Sequence, residues 1–344
     1  MTLRRLAPAL IAAALVLAGC AATSVPTPTA SEGVAAPASE ATPTPEPPQA
    51  RVPFDGDCSG VLTADLAAQI FHGVQPVTSS PDNIGGLMPD VAGSLARLGG
   101  LACTWWAEGA PVEYLSVAVI PRMHVPDDVA AERAQFGCYG WGYCGRGEVR
   151  SDMWVLAETA RVNENDLDPS AEEASVMTAA VDGLIQSVLG HAPSVYSGVP
   201  VSPAADWWTL PACEKIASAA ASGAGITAPQ PGFPGDNVPD GPVWEVLTAA
   251  GVAQWCPWYD LTENSSRITE LQLQSGVGAP SAAQLEAHNV ETISIAGADA
   301  AYRLVYEYSG GARGVEILVV DGPNRLLVGG YGPEAVAAAV LAVL

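Results

Sequence analysis

The sequence predicts an α+β protein of two similar tandem domains, each a mainly antiparallel sheet packed by helices and stapled by a disulfide. Three observations predict it. Each half carries an early cysteine and a later Cys-x-Trp at nearly the same spacing, Cys58 with Cys103-Thr-Trp105 and Cys213 with Cys256-Pro-Trp258. After each Cys-x-Trp a polar turn leads into an alternating run, and alternating strands with short connections favour antiparallel sheets. Each half closes on a segment with the start signals of a helix.

The chain has 344 residues, 49% hydrophobic and 15% charged, enough apolar material for real cores and too much for overall disorder. Its 14 Lys plus Arg stand against 37 Asp plus Glu, and Lys215 is the only lysine. No segment supplies the basic surface that phosphate backbones need, so no nucleic-acid partner is expected.

Taken in order, Arg4 and Arg5 precede an apolar run over residues 6–17 that ends in Leu17-Ala18-Gly19-Cys20. This is similar to a bacterial lipobox, which implies a signal peptide over 1–19, cleavage before Cys20 and lipidation of its sulfur. The run is shorter than the roughly 20 residues of a relaxed membrane span, so the expected location is the extracytoplasmic face of the cell membrane, anchored by lipid. Without residues 1–19 the chain keeps 12 basic against the same 37 acidic side chains, which repels anionic lipid and attracts cations or basic partners. Residues 20–52 are rich in Ala, Thr, Ser, Pro and Glu and read as a tether. At ~3.1 Å per residue it reaches on the order of 100 Å. Thr27, Thr29, Thr42 and Thr44 beside its prolines are either glycosylation positions or part of a bare spacer.

The first domain is placed at 53–190. A helix-like segment opens at Cys58 and runs to Phe71, strands follow at 114–120 and 154–157, and Ser170-Ala-Glu-Glu173 is a capping box before Val176, Ala180, Leu184 and Val188 on one helical face. Residues 191–204 read as an inter-domain linker. The second domain, 205–344, opens with a helix at Cys213. A strand at 268–274, a capping box at Ser281-Ala-Ala-Gln284, a strand at 315–320 and a helix with Pro333 in its first turn then follow.

Seven cysteines less the lipidated Cys20 leave six, an even number for an oxidising compartment, and sequence alone leaves many pairings open. If the halves are homologous, Cys58 pairs with Cys103 and Cys213 with Cys256, leaving Cys138 and Cys144 for each other. His72, His124, His191 and His288 are scattered singly, so no metal site and no cofactor are expected.

With the Cys20 box, the tether, the early Cys58 and Cys213, the two Cys-x-Trp elements and the C-terminal helices in view, the chain resembles the cysteine-paired lipoprotein domains of uncharacterised function found in actinobacterial cell envelopes. The resemblance covers most of 53–344 as a tandem pair. The chain departs from it in carrying two copies and an extra cysteine pair. It implies a compact α+β unit on the outer face of the membrane and supplies no catalytic residues.

His-Glu-x-x-His, Gly-x-Ser-x-Gly and Ser-x-x-Lys are absent, and Lys215 is followed by Ile216 rather than the Ser or Thr of a phosphate loop. Gly330-Tyr-Gly332-Pro-Glu-Ala335 imitates a dinucleotide fingerprint, but no further strand follows, and it reads as a strand-to-helix turn. The acidic residues at 163–168 read as a polar loop and those at 236–241 as a turn, neither having calcium-loop spacing. Trp105, Trp106, Trp207, Trp208, Trp255 and Trp258 read as core or domain-junction rings.

The remaining local feature is Cys138-Tyr-Gly-Trp-Gly-Tyr-Cys144. With its ends bridged, an extended strand places Tyr139, Trp141 and Tyr143 on one face, suited to stacking on an envelope ligand or protein; otherwise the rings of a stapled hairpin cover the sheet. The expected function is therefore a membrane-anchored, non-enzymatic binding or accessory module of the cell envelope. An envelope hydrolase using a carboxylate pair, and a structural or sensor partner of a membrane protein, are the alternatives.

Overall fold

The computed structural model describes residues 53–78, 90–139, 143–160, 169–191, 201–232, 241–262, 265–307 and 313–344. The expected signal peptide, Cys20, the tether, Trp141, the acidic loop at 163–168 and most of the linker lie outside the described residues. Glu46–Leu344 forms one compact unit. It is α+β, with two antiparallel sheets packed by helices. No helix among the described residues is long and apolar enough to cross a membrane.

The first half runs α1 (Ala64–Ile70), α2 (Val91–Arg97), β1 (Leu101–Trp106), β2 (Tyr114–Pro121), α3 (Asp127–Glu132), β3 (Gly137–Tyr139), β4 (Tyr143–Arg150), β5 (Met153–Ala160) and α4 (Ala171–His191). Its five strands lie in the order β1-β2-β5-β4-β3. The first helix starts later than the sequence suggests. Cys58–Gly60 is a single 3-10 turn, and α1 begins only where the Thr63 hydroxyl accepts the Leu66 N–H at 3.3 Å. Ser170 and Glu173 form the reciprocal cap of α4, at 2.8 and 3.2 Å.

The second half runs α5 (Cys213–Ala224), β6 (Gln230–Pro231), α6 (Pro242–Ala249), β7 (Ala253–Thr262), β8 (Ser265–Gln274), α7 (Ala282–Ala287), β9 (Glu291–Ile293), β10 (Ala300–Glu307), β11 (Arg313–Asp321), β12 (Asn324–Gly330) and α8 (Pro333–Leu341). Its seven strands lie in the order β6-β7-β8-β12-β11-β10-β9. Ser281 and Gln284 form the expected box before α7, and the fingerprint-like segment is the turn from β12 into α8.

Register shows the repeat directly. Cys103 pairs with Val117, Val117 with Ala157 and Ala157 with Arg146; Cys256 pairs with Leu271, Leu271 with Val328 and Val328 with Ile317. Thus β1-β2-β5-β4 corresponds to β7-β8-β12-β11. Bridges Cys58–Cys103 and Cys213–Cys256 occupy matching places, and Cys138–Cys144 closes the β3-β4 hairpin.

One face of the first sheet packs Val117, Val155 and Ala157 against Val181, Leu184, Ile185 and Val188 of α4. In the second half, Leu271, Ile317 and Val328 meet Ala220 of α5 and Val336 and Val340 of α8. The other face of the first sheet is also covered. Ala118, Ile120, Trp154 and Leu156 pack on Leu95 of α2, Val129 of α3, and Val246 and Leu247 of α6. Burial on both faces explains the nearly unbroken apolar character of β2 and β5. Because α6 belongs to the second half, the halves share a core instead of meeting only through a linker.

Polar groups seal that junction. The buried Gln274 amide donates to Ser94 Oγ at 2.7 Å and to the Asp90 carbonyl at 3.1 Å, and accepts the Asp90 N–H at 2.9 Å. Asp90 also caps α2 through the Gly93 N–H and sits 3.3 Å from the buried Arg325 guanidinium. Arg97 lies 3.9 Å over the Trp207 ring and donates to the Ser275 carbonyl.

Candidate functional site

Beyond the apolar contacts of α2 and α6, the same face of the first sheet opens into a cavity of about 710 Å³. Cross-strand pairing builds its floor. Ala102 pairs with Ala118 in one row, and Thr104, Ser116, Glu158 and Gly145 form the next across β1, β2, β5 and β4. Tyr114 and Tyr143 follow, both opposite Ala160. Val91 and Ala92 of α2, Val243 and Trp244 of α6, and Trp255 of β7 form the walls. Both halves therefore contribute to one cavity.

Hydroxyls and one carboxyl make its polar side. The Tyr139 O–H donates to Glu158 Oε1, and the Ser116 hydroxyl hydrogen-bonds the same carboxyl. Tyr114 continues the chain through Ser116 and Thr104. Burial raises the Glu158 pKa above the ordinary carboxyl value, opposed by the Tyr139 bond, the Arg133 charge and the Ser116 bond. Burial pushes Tyr114 up to about 12 and raises Tyr139, to which the Glu158 charge adds. Arg133 lies 4.0 Å over the outer face of this cluster, against the Tyr139 ring. The two tyrosines keep their protons at neutral pH, and the Tyr139 and Ser116 bonds with the Arg133 charge favour the ionised form of Glu158 against its burial.

Gly145 is required beside Glu158. A Cβ there would lie 2.4 Å from the Ala157 carbonyl and 3.1 Å from Glu158 Cγ, so only glycine leaves the glutamate room to lie across β4.

The sequence-predicted aromatic loop contributes two of its rings. Cys138 and Cys144 are direct cross-strand partners, and so are Tyr139 and Tyr143. The bridge joins the two strands of a hairpin, the second of the two arrangements the sequence left open, and Trp141 lies outside the described residues. Tyr139 and Tyr143 both line the cavity, and Tyr143 meets Tyr114 edge-on at 5.6 Å. Trp105 and Trp258 are core rings as expected, and Trp207 lies at the junction. Trp255 faces the cavity.

Glu158 was not singled out from the sequence, although a lone acid in the otherwise apolar Met153–Ala160 segment was a usable signal. Trp244 was missed as well, because helix α6 was not foreseen.

A second acidic feature lies on the other sheet. Glu270 of β8 and Glu316 of β11 both pair with Gly329 of β12, so they flank it on one face. Burial, with repulsion from Glu316, pushes the Glu270 carboxyl up to about 7 against a hydrogen bond from Trp255. Glu270 occupies the repeat position of Ser116, and Gly329 that of Glu158. Among the described residues no group of three His, Cys, Asp or Glu side chains is placed to hold a metal ion.

Neither a protein-family model nor a curated protein matches the chain. Among solved structures, the di-domain ARO/CYC StfQ from the steffimycin biosynthetic pathway aligns over 78% of this chain and 90% of that chain at 10% identity, with a TM-score of 0.14. A likeness that slight transfers neither fold nor activity.

Proposed function

We propose that the chain is a lipid-anchored, extracytoplasmic, non-enzymatic binding module of the cell envelope, of the actinobacterial lipoprotein type its sequence resembles, and that the cavity beneath the Cys138–Cys144 hairpin is its ligand site. Cys20 anchors it, residues 20–52 project it, and the two sheets hold the cavity. The observation that carries the reading is the cavity itself. Its volume of about 710 Å³ falls within the ~300–1,000 Å³ of small-molecule sites, and its mainly apolar wall with a few convergent polar groups is their usual chemistry.

The repeat supplies the test. Ala102 stands where the second half has Trp255, each immediately before the cysteine of its Cys-x-Trp. Ala102→Trp puts an indole into the cavity at a place where the fold already accepts one. In the chain made from residue 20 with Cys20→Ser, which carries neither lipid nor the apolar run at 6–17 and needs no detergent, Nile red should bind with a blue-shifted emission, and Ala102→Trp should abolish it without lowering the melting temperature by more than a few degrees. No blue shift without Ala102→Trp, or the same shift with it, contradicts the assignment. Cys20→Ser should also abolish incorporation of labelled fatty acid into the chain, and unchanged incorporation contradicts the anchor.

The hydrolase reading has one observation in its favour, the raised Glu270 beside Glu316. It requires hydrolysis of an envelope polymer that Glu270→Gln and Glu316→Gln each abolish.

A further inference from the structure

Five aromatic side chains, Tyr114, Tyr139, Tyr143, Trp244 and Trp255, and a single carboxyl, Glu158, line the cavity, and among the described residues no Lys, Arg or His does. An anionic ligand entering it would lose water and meet no positive side chain among the described lining residues, so fatty acids, phosphates and acidic sugars are disfavoured. Glu158 meets O–H donors, Tyr139 and Ser116, which present it as an acceptor. Among the described residues it has no ion-pair partner: Arg133 pairs with Glu132 at 3.3 Å and stacks on the Tyr139 ring. A partly enclosed carboxyl that feels the Arg133 charge but has no ion-pair partner among the described residues, faced by electron-rich ring surfaces, is an environment in which an ammonium group is held by both charge and cation–π attraction. The excess of 37 acidic over 14 basic side chains also raises the local concentration of cations.

We infer that the cavity takes an organic cation, an ammonium group on an apolar or aromatic body, with Glu158 as its counter-ion and the Trp244, Trp255, Tyr114 and Tyr143 rings around it. The inference rests on the cavity being the ligand site. It adds the charge of the ligand and the residue that selects it.

The test uses three probes of similar shape and different charge on the chain made from residue 20 with Cys20→Ser: benzyltrimethylammonium, its uncharged isostere neopentylbenzene, and the anion phenylacetate, each titrated as a competitor of Nile red. The expected order puts the cation about tenfold or more ahead of the isostere, with the anion last. Glu158→Gln should erase the difference between cation and isostere. Trp244→Leu, which keeps an apolar wall, should weaken the cation about tenfold and leave the isostere nearly unchanged. The ranking of the three probes needs no variant, so a Glu158→Gln chain that does not fold leaves the test intact. Equal or tighter binding of the isostere or the anion overturns the counter-ion role while leaving the cavity as a binding site. Failure of Nile red itself to bind overturns the site as well.

Discussion

Replacing Glu270 by glutamine should stabilise the protein above about pH 4.5, and to the full extent only above about pH 7. In the folded chain this carboxyl titrates at about 7 against an ordinary value of 4.5, because packing removes water from it and Glu316 repels its charge. Below about pH 4.5 both folded and unfolded chains carry the proton, and the group contributes nothing. Between there and about 7 the unfolded chain ionises while the folded chain does not, so stability falls as pH rises, and above 7 the whole penalty is present. At about 1.4 kcal/mol per pH unit the difference is about 3 kcal/mol, nearer 2 once solvent at the partly exposed group is counted. Glutamine keeps the size and the acceptor for the Trp255 indole but carries no charge. Urea unfolding of the disulfide-intact chain at pH 4 and pH 8 measures it. Glu270→Gln should match the parent at pH 4 and exceed it by about 2 kcal/mol at pH 8. An equal difference at both pH values, or a loss at pH 8, refutes the reasoning.

Three further outcomes follow from packing. Replacing Cys58 and Cys103 by serine opens a loop of 45 residues and should cost about 4 kcal/mol in the chain-entropy account, read as a lower urea midpoint. Gly145→Ala brings a methyl to 2.4 Å from the Ala157 carbonyl, so it should cost about 2 kcal/mol and, by displacing Glu158, also weaken probe binding. Asp90→Ala removes the cap of α2 and leaves the buried Arg325 without its carboxylate, which should lower stability by about 3 kcal/mol, whereas Asp90→Asn, which keeps the cap, should lose less.

The α+β architecture was legible because it rests on local signals. Alternation in β8, the Ser170 and Ser281 boxes and the two Cys-x-Trp elements are properties of neighbouring residues, and duplication doubled their weight. The cavity was not legible in the same way. Thr104, Ser116, Glu158 and Gly145 form one row only after four strands are placed in register, and the walls come from α2 and α6 in different halves. The aromatic loop was found because its residues are adjacent in sequence. Which of its two arrangements it takes was not legible, because the choice between one extended strand and a stapled hairpin depends on Cys138 pairing opposite Cys144. The shared core around Leu95, Trp154 and Val246 was hidden for the same reason, since periodicity identifies an apolar face without identifying what covers it.

The most direct test of the account is a crystal structure of the chain purified from the cells that make it, with attention to the space between Glu158 and Trp244. The account predicts density for a small molecule in the cavity, with a polar atom within hydrogen-bond distance of the Glu158 carboxyl and its apolar body against the Trp244 and Trp255 rings. A cavity closed by its own side chains, with Glu158 sealed away from any ligand, would contradict it.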